Sequence, residues 1–139
     1  MRTVEKNIIQ VLEELKDANY MTWDNFSLSV RDSIYKNRET IQYKLWNNII
    51  FEYNRKENTY YFSFCGYSTN TTKNRLNAIL NAFFDASITQ KNYKLVLNWD
   101  NQNYFINETN IYCIKNHKLY KKSFESLSSV VEVLPIENN

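Results

Sequence analysis

The residues with the most chemical potential lie in two short basic stretches. In the first, Tyr67, Thr69, Thr71, Thr72, Lys73 and Arg75 crowd the start of a predicted helix. A helix N-terminus leaves backbone N–H groups without partners and carries the positive end of the macrodipole, so a cation there costs a few tenths to ~1 kcal/mol. Lys73 and Arg75 occupy that place all the same. Threonine hydroxyls, free N–H groups and two cations could hold a phosphate or a carboxylate. The simpler alternative is internal: Thr69 or Thr71 caps the helix, and Arg75 pairs with an acid on a neighbouring strand. On sequence the two stand level.

The second stretch is a basic patch of Lys115, His117, Lys118, Lys121 and Lys122, with no acid between Thr109 and Phe124. It could meet nucleic acid phosphate or an acidic protein surface, or form a solvated hairpin tip. His117 is the only histidine, and no acid partner is close to it in sequence. No nucleophile elbow, phosphate loop, dinucleotide fingerprint or zinc-ligand pair is present. A zinc site would have to recruit His117, Cys65, Cys113 and a carboxylate. Glu52 with Lys56 echoes the acid-plus-lysine groupings of metal-dependent nucleases, but surface solubilisation is the commoner role for such charges. The expectation is a binding protein with no catalytic residues, no metal and no cofactor.

Composition bounds the classes that remain. The chain has 139 residues, 43% of them hydrophobic and 16% aromatic, which is too apolar for a disordered protein. One domain spanning 1–139 is expected. A net charge of +2 is far from that of a dedicated nucleic-acid binder and from that of an acidic DNA mimic. No signal-peptide pattern or membrane-length apolar run occurs, so a cytoplasmic protein with free thiols at Cys65 and Cys113 is expected. Gly and Pro occur once each against 21 Asn, so asparagine must make most of the turns.

Elements that could position these residues follow from periodicity. Val4, Ile8, Val11, Leu12 and Leu15 predict an N-terminal helix capped by Thr3 and stopped at Asn19. Met21 to Arg38 suits helix or strand, with helix favoured, so that 1–38 reads as a helical part. Ile41 to Tyr53 and Thr59 to Cys65 read as the strands of an aromatic hairpin within a unit spanning 41–122. Gly66 follows where the chain must turn tightly. Leu76, Ile79, Leu80, Phe83 and Phe84 predict a helix over about Thr71 to Phe84. Tyr93 to Trp99, Tyr104 to Asn107 and Ile111 to Lys115 read as three more strands, with a further turn at Asn116-His117. In the segment 123–139, a short helix from Ser123 would bury Phe124, Leu127 and Val131 before a polar tail. The expected architecture is α+β: an antiparallel sheet of about five strands, an amphipathic helix packed on it, and N-terminal helices.

The run from Gly66 to Leu80 contains Thr69-Asn70-Thr71-Thr72-Lys73-Asn74-Arg75-Leu76-Asn77. It resembles a helix entry shared by small proteins of bacteriophages and mobile plasmids of Gram-positive bacteria, in which a Thr-x-Thr-Thr-x-x-Arg-Leu-Asn motif follows an aromatic strand. The resemblance is good over those positions and looser from Ile41 to Asn107. Similar segments occur in phage-encoded inhibitors of type II CRISPR-Cas nucleases. The resemblance therefore implies an anti-defence role in the host bacterial cytosol, with Cas9 or its guide RNA complex as the partner, and it groups Thr69, Thr71, Thr72, Arg75 and Asn77. The competing expectation is a nucleic-acid-binding accessory or regulatory protein that uses Lys73, Arg75 and the second basic patch.

Overall fold

The computed structural model describes residues 2–17, 24–123 and 126–137. Its first element, α1 (Thr3–Asp17), buries Ile8, Leu12 and Leu15. Thr3 lies inside the helix rather than capping it; the cap is Arg2, whose N–H donates to the Glu5 carboxylate at 2.9 Å. This is one half of a capping box. At the other end the Arg55 guanidinium donates to the Leu15 carbonyl. The Lys16 ammonium lies 5.1 to 5.7 Å from the ring centres of Tyr53, Tyr60 and Phe83, a cation–π seat for the last turn.

Strands dominate the rest. β1 (Asp24–Ser27), β2 (Asp32–Lys36), β3 (Thr40–Leu45), β4 (Asn48–Asn54) and β5 (Thr59–Phe62) form a meander. After α2 (Asn70–Phe84) come β6 (Ser87–Lys91), β7 (Lys94–Trp99) and β8 (Gln102–Ile106), which make a separate three-stranded sheet. Finally β9 (Ile111–Lys115), β10 (Lys118–Ser123) and β11 (Ser126–Glu132) extend the first sheet, because β9 pairs with β5. The order in the large sheet is β1-β2-β3-β4-β5-β9-β10-β11, antiparallel throughout.

Side-chain alternation gives this sheet two unlike faces. Across the strands, Ile34, Tyr43, Phe51, Phe62 and Tyr112 stand in register and are all buried. Phe51 stacks on Phe83 of α2 with ring centres 5.8 Å apart, and Tyr60 meets Phe84 edge-on at 4.8 Å. Phe84 in turn reaches Trp99, so the small sheet lies on the helix side as well. An irregularity in the β3–β4 register puts Ile50 and Phe51 together on the buried side.

The expected α+β domain with about five strands is corrected: the fold is β-rich, with eleven strands and two helices among the described residues. The difference lies in three places. Trp46 and Asn47 both take positive φ, splitting Ile41 to Tyr53 into β3 and β4 by a two-residue hairpin turn that carries no glycine. The same geometry recurs at Asn92-Tyr93, at Asp100-Asn101, within the turn that the sequence suggests over Asp100 to Asn103, and at Asn116-His117, also as expected. Met21 to Arg38, favoured as helix, contains β1 and β2; its first three residues lie outside the described ones. Here Asp32 and Lys36 point into the core beside Ile34, so two charges mask the strand pattern. The helix expected from Ser123 is replaced by the end of β10 and by β11, while Phe124 falls outside the described residues. Asn19 falls outside them too.

Candidate functional site

The entry to α2 is built from its own threonines. Thr69 is the N-cap in extended conformation (φ −77°, ψ 161°), and its hydroxyl accepts from the Thr72 N–H at 3.2 Å. The two hydroxyls lie 2.9 Å apart. Cys65 and Gly66 precede the helix with φ of 54° and 84°, which turns the chain off β5. The Gly66 N–H donates to the Glu108 carbonyl, and the Ser68 hydroxyl donates to the Glu108 carboxylate, each at 2.6 Å. Tyr67, Thr69, Thr71 and Thr72 line one cleft of about 490 Å3 with Trp46 and Asn48. Tyr67 and Trp46 are its exposed aromatic edges.

Arg75 does not join that cleft. It is one of the largest buried side chains, 2% exposed, and lies between α1 and β2. Its Nε donates to Asp32 Oδ1 at 2.9 Å, Nη2 to Asp32 Oδ2 at 3.5 Å, and Nη1 to Glu5 Oε2 at 3.3 Å. Asp32 also accepts from the Ser29 hydroxyl at 2.6 Å and from the Tyr43 phenol. One guanidinium therefore ties α1, α2, β2 and β3 together. Burial raises the Asp32 pKa, but the bonds from Arg75, Ser29 and Tyr43 outweigh it and hold the carboxyl below its ordinary value. Burial and the Asp32 carboxylate push the Tyr43 phenol up. Burial pulls Arg75 down, but its bond to Asp32 outweighs this and the guanidinium stays charged. The two carboxylates supply the negative charge that the first turn of α2 lacks.

Asn77, the next residue in the grouped motif, exchanges two hydrogen bonds with the backbone of Ile88, as a neighbouring strand would. It fastens β6 to α2. Leu76 between them is fully buried. The motif residues Thr69, Thr72, Arg75, Leu76 and Asn77 are thus engaged in the protein's own contacts. Lys73 is half-buried and Thr71 lines the cleft.

The second basic patch lies on the β9–β10 hairpin and is less cationic than its sequence. His117 Nε2 sits 2.9 Å from Asp100 Oδ2 on the β7–β8 turn, with its ring 4.9 Å from that of Trp99. Lys118 pairs with Glu132 of β11 at 3.9 Å. Lys122 lies over the Tyr61 ring at 5.1 Å. Lys115 and Lys121 are exposed.

Sequence reasoning missed the surface to which Lys115, Lys118 and Lys122 belong; Lys121 stands in the opposite row, beside Tyr112. Asn25, Tyr35, Gln42, Glu52, Tyr61, Cys113, Tyr120 and Glu132 stand in register across all eight strands, alternating with the helix-facing rows and so directed away from them. Gln42 donates to Glu52 at 2.6 Å and the Tyr61 hydroxyl donates to Glu57 at 3.0 Å. Burial, Glu57 and Glu52 keep the Tyr61 phenol protonated well above its ordinary range. The alternation of Tyr61 with Tyr60 and Phe62 was visible in the sequence, but the row needs the pairing register.

Cys65 and Cys113 are free thiols, both pushed up by burial. Among the described residues no three His, Cys, Asp or Glu side chains converge as a metal site would require, and no helix is long and apolar enough to cross a membrane.

Fold and surface define a β-rich protein with one large antiparallel sheet, helices on one face, and the other face directed away from them. The chain belongs to the Kyanoviridae Gp96 protein family, a phage family, whose model matches residues 1–116. That stretch runs from α1 through β9 and includes the whole Arg75 cluster; Lys118, Lys121 and Lys122 lie beyond it. No curated protein and no solved structure matches the chain.

Proposed function

We propose that this phage protein acts by binding a host protein, without catalysing a reaction, and that its docking surface is the large-sheet face opposite the helices. The supporting observation is the row Tyr35, Gln42, Glu52, Tyr61 and Tyr120, a broad half-buried surface of tyrosines with polar tips. The Glu52 carboxylate stands on it with Lys44 over Tyr35 and Lys122 over Tyr61 as its mixed charges. Tyrosine gives large contact area at low rotamer cost, and mixed charges suit a protein partner better than a polyanion. The partner we put forward is a host defence nuclease of the type II CRISPR class, Cas9 or its guide RNA complex. That choice rests on the resemblance of residues 66–80 and on the phage family.

The test mixes the purified protein with Cas9–guide complexes from several type II systems. Micromolar binding with protection of target DNA is expected, and Tyr35→Glu with Tyr120→Glu should abolish both at unchanged thermal stability. Absence of binding to every complex would end the nuclease assignment. Binding that survives the double variant would end the face assignment.

One observation favours a second reading, nucleic-acid binding: Lys122 lies over Tyr61, with Lys115 exposed on the neighbouring strand. It requires binding to DNA or RNA alone that weakens steeply with salt. The acids that meet His117 and Lys118 weigh against it.

A further inference from the structure

The open face is not flat over β4, β5 and β9. A groove of about 470 Å3 runs there, floored by the apolar side chains of Ile49 and Ile111 and by Tyr61. Glu52 and Glu57 line it as well, and Lys122 lies over the Tyr61 ring. Each carboxylate uses one oxygen internally: Oε1 of Glu52 accepts from Gln42, and Oε2 of Glu57 accepts from Tyr61. Two carboxylates against one ammonium leave the groove with an excess of negative charge. Its floor offers apolar surface to an aliphatic stem.

We propose that this groove takes an arginine-bearing segment of the partner protein, with the guanidinium between Glu52 and Glu57 and its aliphatic stem over Ile49 and Ile111. Arginine suits the place because its planar fork bonds carboxylates in pairs while its methylenes cover apolar surface. A phosphate backbone would meet the same two carboxylates and be repelled. The inference rests on the open-face reading and names the chemistry that one part of that face selects.

The experiment titrates the 139-residue chain with short peptides in which a central arginine is flanked by leucine and serine, and with the same peptides carrying glutamate or citrulline. Binding is followed by amide chemical shifts. The arginine peptide should bind at least tenfold more tightly than either counterpart, shifting Ile49, Glu52, Tyr61 and Ile111. Glu52→Gln with Glu57→Gln should lose that preference, and Lys122→Gln should strengthen arginine binding. Equal binding of all three peptides, shifts elsewhere on the protein, or an arginine preference that survives the double glutamine variant would each overturn the proposal. So would the absence of binding at millimolar peptide. A failure of the open-face reading shows differently, as partner binding that the Tyr35 and Tyr120 variants leave untouched.

Discussion

The α2 entry and the β9–β10 hairpin begin alike, as clusters of cations with no acid nearby in sequence, and the fold treats them in opposite ways. At α2 the acids come from α1 and β2 and the whole group is sealed: Arg75, Glu5 and Asp32 are each at most about one-twentieth exposed. At the hairpin the acids come from the β7–β8 turn and β11, and the pairs stay in water, with His117 and Asp100 side chains 70% and 59% exposed. A buried charge must be matched by hydrogen bonds or the fold fails, whereas an exposed one is screened and replaceable. The first cluster is therefore sealed into the fold, and the second stays at the surface.

The sharpest way to break this contrast is Arg75→Ala. It strands two carboxylates in the core and should cost about 3–5 kcal/mol, a large part of the whole stability of an ordinary domain. Urea unfolding measures it. A loss below about 1 kcal/mol would mean that the cluster is not what joins α1 to the sheet. Arg75→Lys should recover only part of the loss, because an ammonium cannot span Asp32 and Glu5 with a planar fork.

Next in size is Asn77→Ala. It leaves the N–H and C=O of buried Ile88 without their side-chain partners, at about 1–3 kcal/mol. Amide exchange should accelerate first in β6 and β7, since Asn77 is their tie to α2.

Acid and alkali act with opposite sign on two members of the buried cluster. The Asp32 pKa is held down in the folded protein, so its contribution is present above the unfolded carboxylate value near ~3.9 and is lost as pH falls through the lower folded value. The Tyr43 pKa is raised, so its contribution is present below the unfolded phenol value near ~10 and is lost as pH rises beyond it. Wild type minus Asp32→Asn should be level at neutral pH and shrink in acid. Wild type minus Tyr43→Phe, about 1.5–3 kcal/mol at neutral pH, should shrink in alkali. A Tyr43→Phe difference that grows in alkali would contradict the assigned partner.

Much of this was legible before the structure, and the illegible parts share a cause. The α2 helix and the Tyr60–Phe62 alternation follow from local spacing and stand where expected, and of the two threonines that could cap the helix the structure uses Thr69. Arg75 carried a signal that could have been read: it sits four residues before Ile79 and eight before Phe83, extending the apolar stripe by one turn. A cation on that line has to be buried with a partner. Its partner was hidden because Asp32 and Lys36 break the alternation of β2, which made the strand look helical. The hairpin turns were hidden because they use Trp46-Asn47 and Asn92-Tyr93 instead of a glycine pair. The open face could not be read at all, since its row joins residues from eight strands whose register only tertiary pairing sets.

The smallest predicted effect carries the other half of the contrast. His117→Ala removes the ring that bridges Asp100 and Trp99, yet the Asp100 carboxylate it leaves behind is already exposed to water. Solvent screening limits such a pair to about 0–1 kcal/mol, and what there is should fade as salt rises beyond the range of the Debye length. Thermal melts of wild type and His117→Ala at low and high salt measure it. A loss as large as that of Asn77→Ala would show that the β9–β10 tip is a structural clasp between the two sheets, and would take the hairpin out of the docking surface.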